Sequence, residues 1–267
     1  MVDNISTEII DPVAFKLGPL GVRWYALIIS LGVVLGIWLI LREARHRDLD
    51  EDFFLDFLLL GIPIGVVGAR LYFVLFNFQF YRHNLASVFA FREGGLAIHG
   101  GIIAGALVLI ILAYRRRMNF WVVVDVISPQ LALGEAIGRW GNFINREAYG
   151  GIVSERFMSY FPDFIRRQMY IGGNFRNPVF LYFSLWNLAS FLFLIWLRRR
   201  DFIENGDVFF AFLITYSLGR FIIEPLRVDS LMLGPFRVAR LLSLLLIALS
   251  VVVIIVRHRK EKGLHAG

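Results

Sequence analysis

Long apolar runs separated by short charged links dominate the chain. Seven such runs fall at about residues 24–41, 53–76, 96–114, 120–137, 179–197, 208–223 and 236–256. Each approaches the roughly 20 residues a helix needs to cross the hydrocarbon of a bilayer. The pattern predicts an all-α polytopic membrane bundle of about seven transmembrane helices. The longest link, approximately 140–177, mixes Phe157, Tyr160, Phe161, Pro162 and Phe164 with Arg156, Arg166 and Arg167. That mixture predicts a small cap at the membrane interface. Asn177-Pro178 predicts the N-cap and first residue of the fifth helix. There is no internal repeat and no soluble domain boundary, so residues 1–267 read as a single integral membrane domain.

Composition agrees and adds one exclusion. Of 267 residues, 58% are hydrophobic and only 18% charged, where a soluble domain sits nearer a quarter charged. There is no cysteine, so any thiol chemistry must use a thiol brought by a substrate. The net charge of +7 does not point to nucleic acid in such a chain. Arg42, Arg45 and Arg47, then 115–117, 198–200, and finally Arg257, Arg259, Lys260 and Lys262, follow alternate runs. The positive-inside rule places those links in the cytoplasm, with the N-terminus outside and the C-terminus inside. Residues 1–20 carry Asp3, Glu8 and Asp11 and no basic leader, so the first run is expected to be retained as a span.

This orientation sends unusual polar residues to one layer. Tyr25 opens the first span, Arg70 lies in the outer half of the second, and His99 lies about one turn into the third. Glu135 and Arg139 end the fourth, and Tyr216, Arg220 and Glu224 end the sixth. The last three are spaced i, i+4, i+8 and share one helix face. The stretch 138–150 holds two arginines, a glutamate and two asparagines beside Trp140, Phe143 and Ile144, with glycines at 138, 141 and 150 that allow sharp turns. Polar groups in the membrane are costly and mark function by default. Asp125 receives no role. The acidic run Asp48, Asp50, Glu51, Asp52 and Asp56 reads as a solvated loop, and no protein metal site is expected.

Arginine forks with asparagine donors suit a phosphate, and the nearest phosphate is a lipid headgroup. His99 can move a proton near neutral pH. Together they point to displacement at a carbon bearing a phosphate leaving group, or to transfer of a lipid moiety. Three motifs carry a resemblance: Gly-Gly-Leu-Ala-Ile-His-Gly-Gly at 94–101, Gly-Arg-Trp-Gly-Asn-Phe-Ile-Asn-Arg-Glu at 138–147, and Tyr-x-x-x-Arg-Phe-x-x-Glu at 216–224. The chain resembles the phosphatidylglycerol–prolipoprotein diacylglyceryl transferase family from residue 23 to the seventh run. The resemblance implies a bacterial inner-membrane enzyme of lipoprotein maturation. It would move the sn-1,2-diacylglyceryl group of phosphatidylglycerol to the lipobox cysteine of a prolipoprotein, releasing glycerol 1-phosphate. It implies catalytic roles for His99, Arg139 and Arg220. It implies binding or support by Tyr25, Asn142, Glu147, Gly150, Tyr216 and Glu224; Arg70 joins the binding set from its place in the layer. No cofactor is implied.

The chain departs from the family in two places. Many relatives carry His-Pro-x-Gln-Leu-Tyr-Glu before the fifth span, where this chain has Asn177-Pro178-Val179-Phe180-Leu181-Tyr182-Phe183, and Ser217 stands where glycine is common. A metal-dependent CDP-alcohol phosphotransferase lacks its paired aspartates here. A lipid scramblase lacks the inverted repeats expected of a transporter.

Overall fold

The computed structural model describes residues 9–82, 84–90 and 94–265, with side chains left aside at residue 20 and from residue 260 onward. A hairpin of β1 (Val13–Leu17) and β2 (Leu20–Arg23) leads directly into α1 (Trp24–His46). Then come α2 (Glu51–Phe76), α3 (Phe78–Tyr81), a 3-10 turn at Leu85–Phe89, α4 (Ile98–Arg115) and α5 (Phe120–Asn145). The cap holds α6 (Glu155–Met158), α7 (Asp163–Gln168) and a hairpin of β3 (Tyr170–Ile171) and β4 (Asn174–Phe175). The chain closes with α8 (Val179–Leu197), α9 (Asp207–Ile223), a hairpin of β5 (Met232–Leu233) and β6 (Phe236–Arg237), and α10 (Val238–His265). Among the described residues, seven helices (α1, α2, α4, α5, α8, α9 and α10) are long and apolar enough to cross a membrane. The protein is an all-α multi-pass membrane bundle. Its helices turn large apolar side chains outward, as at Leu59, Ile102 and Leu244, which a lipid solvent rewards and water would not.

The chain divides into two compact units, Met1–Leu39 with Val124–Gly267, and Ile40–Val123. In the smaller unit α2 and α4 pack almost backbone to backbone. A Cβ on Gly68 or on Gly100 would collide with the other helix, the small-residue contact that lets helices associate where lipid supplies no hydrophobic drive. The acidic run is used locally. Asp50 caps α2 by accepting from the Asp52 N–H at 3.0 Å, and Arg116 pairs with both Asp50 and Asp56.

Arg70 organises the rest of this unit. It is only 3% exposed. Its Nε donates to the Val88 carbonyl at 2.8 Å, its Nη1 to Gly94 at 2.5 Å and Gly95 at 3.1 Å, and its Nη2 to Ser87 at 2.7 Å. The loop it holds needs glycine. Gly94 and Gly95 have φ of +85° and +74°, and a Cβ on Gly95 would lie 2.6 Å from Arg70 Nη1. Arg70 is therefore neither a snorkelling arginine nor an open headgroup ligand. It seats the segment that leads into His99.

The fourth and first runs exceed their expected ends: α5 continues to Asn145 and α1 to His46. Gly138 and Gly141 are thus helical rather than turn residues. The cap has its own core of Phe143, Met158, Ile165, Met169, Phe175 and Phe180, so the end of α5 and the start of α8 are its floor. The fifth span does not start as expected. Pro178 is the N-cap, and Asn177 lies before it and accepts from the Val179 N–H at 2.8 Å around a φ/ψ of −77°/64°. That is an inverse γ-turn, and no side chain caps α8.

Arg70→Leu should lower stability by about 2–3 kcal/mol, because four partly buried carbonyls lose a charged donor. Arg70→Lys should recover part of that, since an ammonium cannot span the same fork. Thermal unfolding in detergent measures both; an unchanged midpoint for Arg70→Leu would show that the loop does not depend on the guanidinium.

Candidate active site

The larger unit carries Tyr25, Arg139, Asn142, Glu147, Gly150, Tyr216, Arg220 and Glu224, and the smaller carries Arg70 and His99. In the larger unit, α8 determines where the two arginines stand. Ser184 on α8 donates to the Ala136 carbonyl of α5 at 2.9 Å and accepts from Trp140 Nε1 at 3.1 Å. Two residues along the same helix, Trp186 Nε1 donates to the Thr215 carbonyl of α9 at 2.8 Å. A Cβ on Gly219 would strike that indole. Ser184 and Trp186 differ by about 3 Å along the helix axis. Arg139 and Arg220 sit next to these two anchor points, so both belong to one level of α8. The guanidinium of Arg139 also lies over the Phe183 ring at 4.6 Å.

Each arginine has a glutamate four residues away on its own helix. Arg139 Nη2 donates to Glu135 at 2.7 Å, and Arg220 Nη1 donates to Glu224 at 3.0 Å while its Nε meets Tyr216 Oη at 3.2 Å. The expected common face of Tyr216, Arg220 and Glu224 is thus realised by direct bonds. Among the described residues Arg139 Nε and Nη1, and Arg220 Nη2, have no hydrogen-bond partner. The two side chains are 13% and 27% exposed. Partly buried guanidinium groups with spare donors are chemically suited to an oxyanion that accepts several hydrogen bonds.

Around Arg139 the helix end is shaped for close packing. A Cβ on Gly141 would lie 2.5 Å from the Tyr25 ring, so glycine there admits the tyrosine against α5. Asn142 Nδ2 donates to Glu147 Oε1 at 2.9 Å, and Asn145 Nδ2 reaches the same oxygen at 3.4 Å. Glu147 is flanked by Arg146 and Ala148, both at φ of +55°, a left-handed conformation that costs a non-glycine residue about 1 kcal/mol or more. Arg146 is half-buried: it donates to the Tyr170 carbonyl and ties the strand of the cap to this bend. Gly150 is a crossing point of three segments. Its N–H donates to Asn177 at 3.0 Å, it bridges to Arg227, and a Cβ would lie 2.7 Å from Asn177 Cβ and 2.9 Å from the Leu226 carbonyl.

Glu224 is 3% exposed and anchors a second polar knot. Ser230 Oγ donates to its Oε1 at 3.0 Å, and Arg237 Nη1 donates to its carbonyl at 2.8 Å and to that of Arg227 at 3.0 Å. α9 ends at Ile223, two residues before Pro225, and the chain continues as a 3-10 turn over Glu224–Leu226. In the smaller unit His99 is exposed in the first turn of α4, its ring 6.2 Å from that of Tyr72.

Several residues that hold these groups are absent from the sequence expectation. Ser184, Asn187 and Ser190 form a buried i, i+3, i+6 row on an otherwise apolar helix; that row was a readable signal. Gln168, 1% exposed, accepts from the Ile10 N–H at 3.0 Å and donates to Ile144 at 2.9 Å; nothing local in the sequence marks it. Asp125, given no role above, accepts the N–H groups of Gly206 at 2.5 Å and Phe209 at 2.8 Å.

The knot beyond α9 has a definite pH dependence. The Arg227 hydrogen bond, joined by its charge, holds the Asp229 carboxyl below the ordinary 3.8, against a smaller opposing effect of burial. A depressed folded value contributes stability above the unfolded value and loses it as pH falls through the folded one. The stability gap between wild type and Asp229→Asn should therefore be constant above about pH 5 and close below about pH 4. Unfolding midpoints across that range test this; a gap that persists at the acid end would contradict it.

The comparisons with known proteins meet this geometry. The prolipoprotein diacylglyceryl transferase family model matches residues 12–256, from the first hairpin into α10. A phosphatidylglycerol–prolipoprotein diacylglyceryl transferase of Bacillus cereus (strain Q1) is 46% identical over 252 residues, covering 94% of this chain and 93% of that protein. A protein of the same name from Bacillus anthracis matches with the same identity and coverage. All three motifs and the helices that carry Arg139 and Arg220 lie within residues 12–256, and the chain belongs to the prolipoprotein diacylglyceryl transferase family.

Proposed function

We propose that this chain moves the sn-1,2-diacylglyceryl group of phosphatidylglycerol to the lipobox cysteine thiol of a prolipoprotein. The C–O bond from the sn-3 carbon to the phosphate breaks and a C–S thioether bond forms. The phosphate departs as glycerol 1-phosphate, and the thiol proton passes to a base. The observation that carries this reading is the pair of partly open guanidiniums, Arg139 and Arg220, tied to one level of α8. In their hands a phosphodiester gains donors that match its oxygens, and charge growing on the leaving group is stabilised in surroundings poor in water.

The other roles follow from what each side chain touches. His99 takes the thiol proton, which matters because a free thiol ionises near pH 8.5 and the thiolate is the nucleophile. Arg70 serves it indirectly by seating the segment ahead of α4. Tyr216 and Glu224 orient Arg220. Tyr25, Asn142 and Glu147 line the bend after Arg139 and contact the headgroup, while Gly150 keeps three backbone segments close enough to hold that bend. The site faces outward from a bacterial inner membrane with the N-terminus outside and the C-terminus cytoplasmic, which fits the basic links. One membrane domain with its cap performs the reaction without a cofactor.

Purified protein incubated with phosphatidylglycerol and a lipobox peptide should yield a diacylglyceryl-modified cysteine by mass spectrometry. Arg139→Gln and Arg220→Gln should each lower turnover by about 10²–10³-fold, the usual loss for one transition-state donor. His99→Gln should abolish most of it. Absence of modified peptide from folded protein would sink the reading, and wild-type rates in both arginine variants would remove them from the site.

A further inference from the structure

The two arginines stand on different helices, and something must set how far one helix slides past the other. Apolar contact does this poorly in a bilayer, because lipid tails solvate a leucine surface as well as another helix does. At one end, α8 ties α5 and α9 through Ser184 and Trp186. At the other end α5 and α9 meet directly. Asp125, 1% exposed, accepts from Gly206, the N-cap of α9, and from Phe209 in its first turn. A carboxylate is the natural occupant there, since it meets orphan N–H groups and the positive end of the helix dipole.

The lengths agree. Arg139 lies fourteen residues after Asp125, and Arg220 lies fourteen after Gly206. Both helices run away from the contact, because Ala132 of α5 shares a buried cluster with Val208 and Phe212 of α9 further along. Each arginine is therefore about 21 Å from the same pin. Asp207 anchors this end again: it accepts from the Glu204 N–H at 3.0 Å and meets His258 of α10 at 2.7 Å.

We infer that Asp125 is a positioning residue for the transfer reaction, pinning α9 to α5 so that Arg220 comes level with Arg139. A buried carboxylate is expensive in this setting. What it supplies in return is direction: two short bonds fix translation along the axis, which packing alone leaves loose. The inference rests on Arg139 and Arg220 forming the phosphate clamp.

The chain has no cysteine, so introduced pairs report register without background. The pair Ala132→Cys with Phe212→Cys, compared with Ala132→Cys with Val208→Cys, gives a ratio of cross-linking rates one helical turn apart. Asp125→Ala should change that ratio by about threefold or more. In the cysteine-free chain it should lower kcat/KM per folded molecule on the order of 10²-fold, the scale of an ångström-level misplacement. Asp125→Asn, which retains an acceptor oxygen, should fall between, and it carries the same readouts if Asp125→Ala does not fold. Arg220→Lys should cost clearly less on the Asp125→Ala background than on wild type, as expected for coupled sites. A wild-type cross-linking ratio in folded Asp125→Ala, or strictly additive losses, overturns the inference. Full activity in Arg139→Gln and Arg220→Gln would instead overturn the clamp, whatever the ratio shows.

Discussion

Hydrogen bonds between helices are the constraint on which the larger unit depends. Four groups do most of this work: Asp125 between α5 and α9, Ser184 and Trp140 between α8 and α5, and Trp186 between α8 and α9. In water, burial of apolar faces would hold three such helices together and tolerate small slides. In lipid that drive is absent, and position comes from directional bonds and from small residues that allow close approach. Gly141 beneath Tyr25 and Gly219 beneath Trp186 are the steric counterparts of those bonds. These bonds set the helices along their axes, which apolar packing in lipid leaves loose.

The same accounting separates arginines that build from arginines that remain available. Arg70 reaches four carbonyls, and Arg237 reaches two carbonyls and a hydroxyl. Arg139 and Arg220 each have one carboxylate and spare donors. A guanidinium offers five N–H groups in a rigid fork, so the number already engaged indicates what a ligand can still use. By that measure Arg70 moves from ligand to scaffold.

Much of this was legible in the sequence, for identifiable reasons. The spans were readable because each is an apolar run bounded by charge, and the Tyr216, Arg220 and Glu224 face was readable because helical spacing fixes it. The end of α5 was not: glycines at 138 and 141 look like turn residues until Tyr25 is seen packed where a Cβ would be. Asn177-Pro178 has the composition of a cap and first helical residue, but an inverse γ-turn starts α8 one residue later. Arg70 and Asp125 were ambiguous for a deeper reason. Their partners are backbone groups of segments at least 17 residues away, and no local pattern encodes those.

The paired glutamates then bear on how a site of this kind turns over. Left alone in apolar surroundings, two guanidiniums would be costly, and Glu135 and Glu224 offset that cost while the site is empty. Arrival of a phosphodiester adds one negative charge, which the spare donors can accept without displacing either carboxylate. Cleavage converts it to a monoester whose second ionisation lies near pH 6, so the product carries close to two charges at neutral pH. One carboxylate already holds part of each fork, Glu135 on Arg139 and Glu224 on Arg220, and the extra charge meets them at short range. On the proposed reading of Arg139 and Arg220 as a phosphate clamp, this arrangement favours the singly charged lipid over the doubly charged product, and the Glu135 and Glu224 that brace the arginines would also favour release.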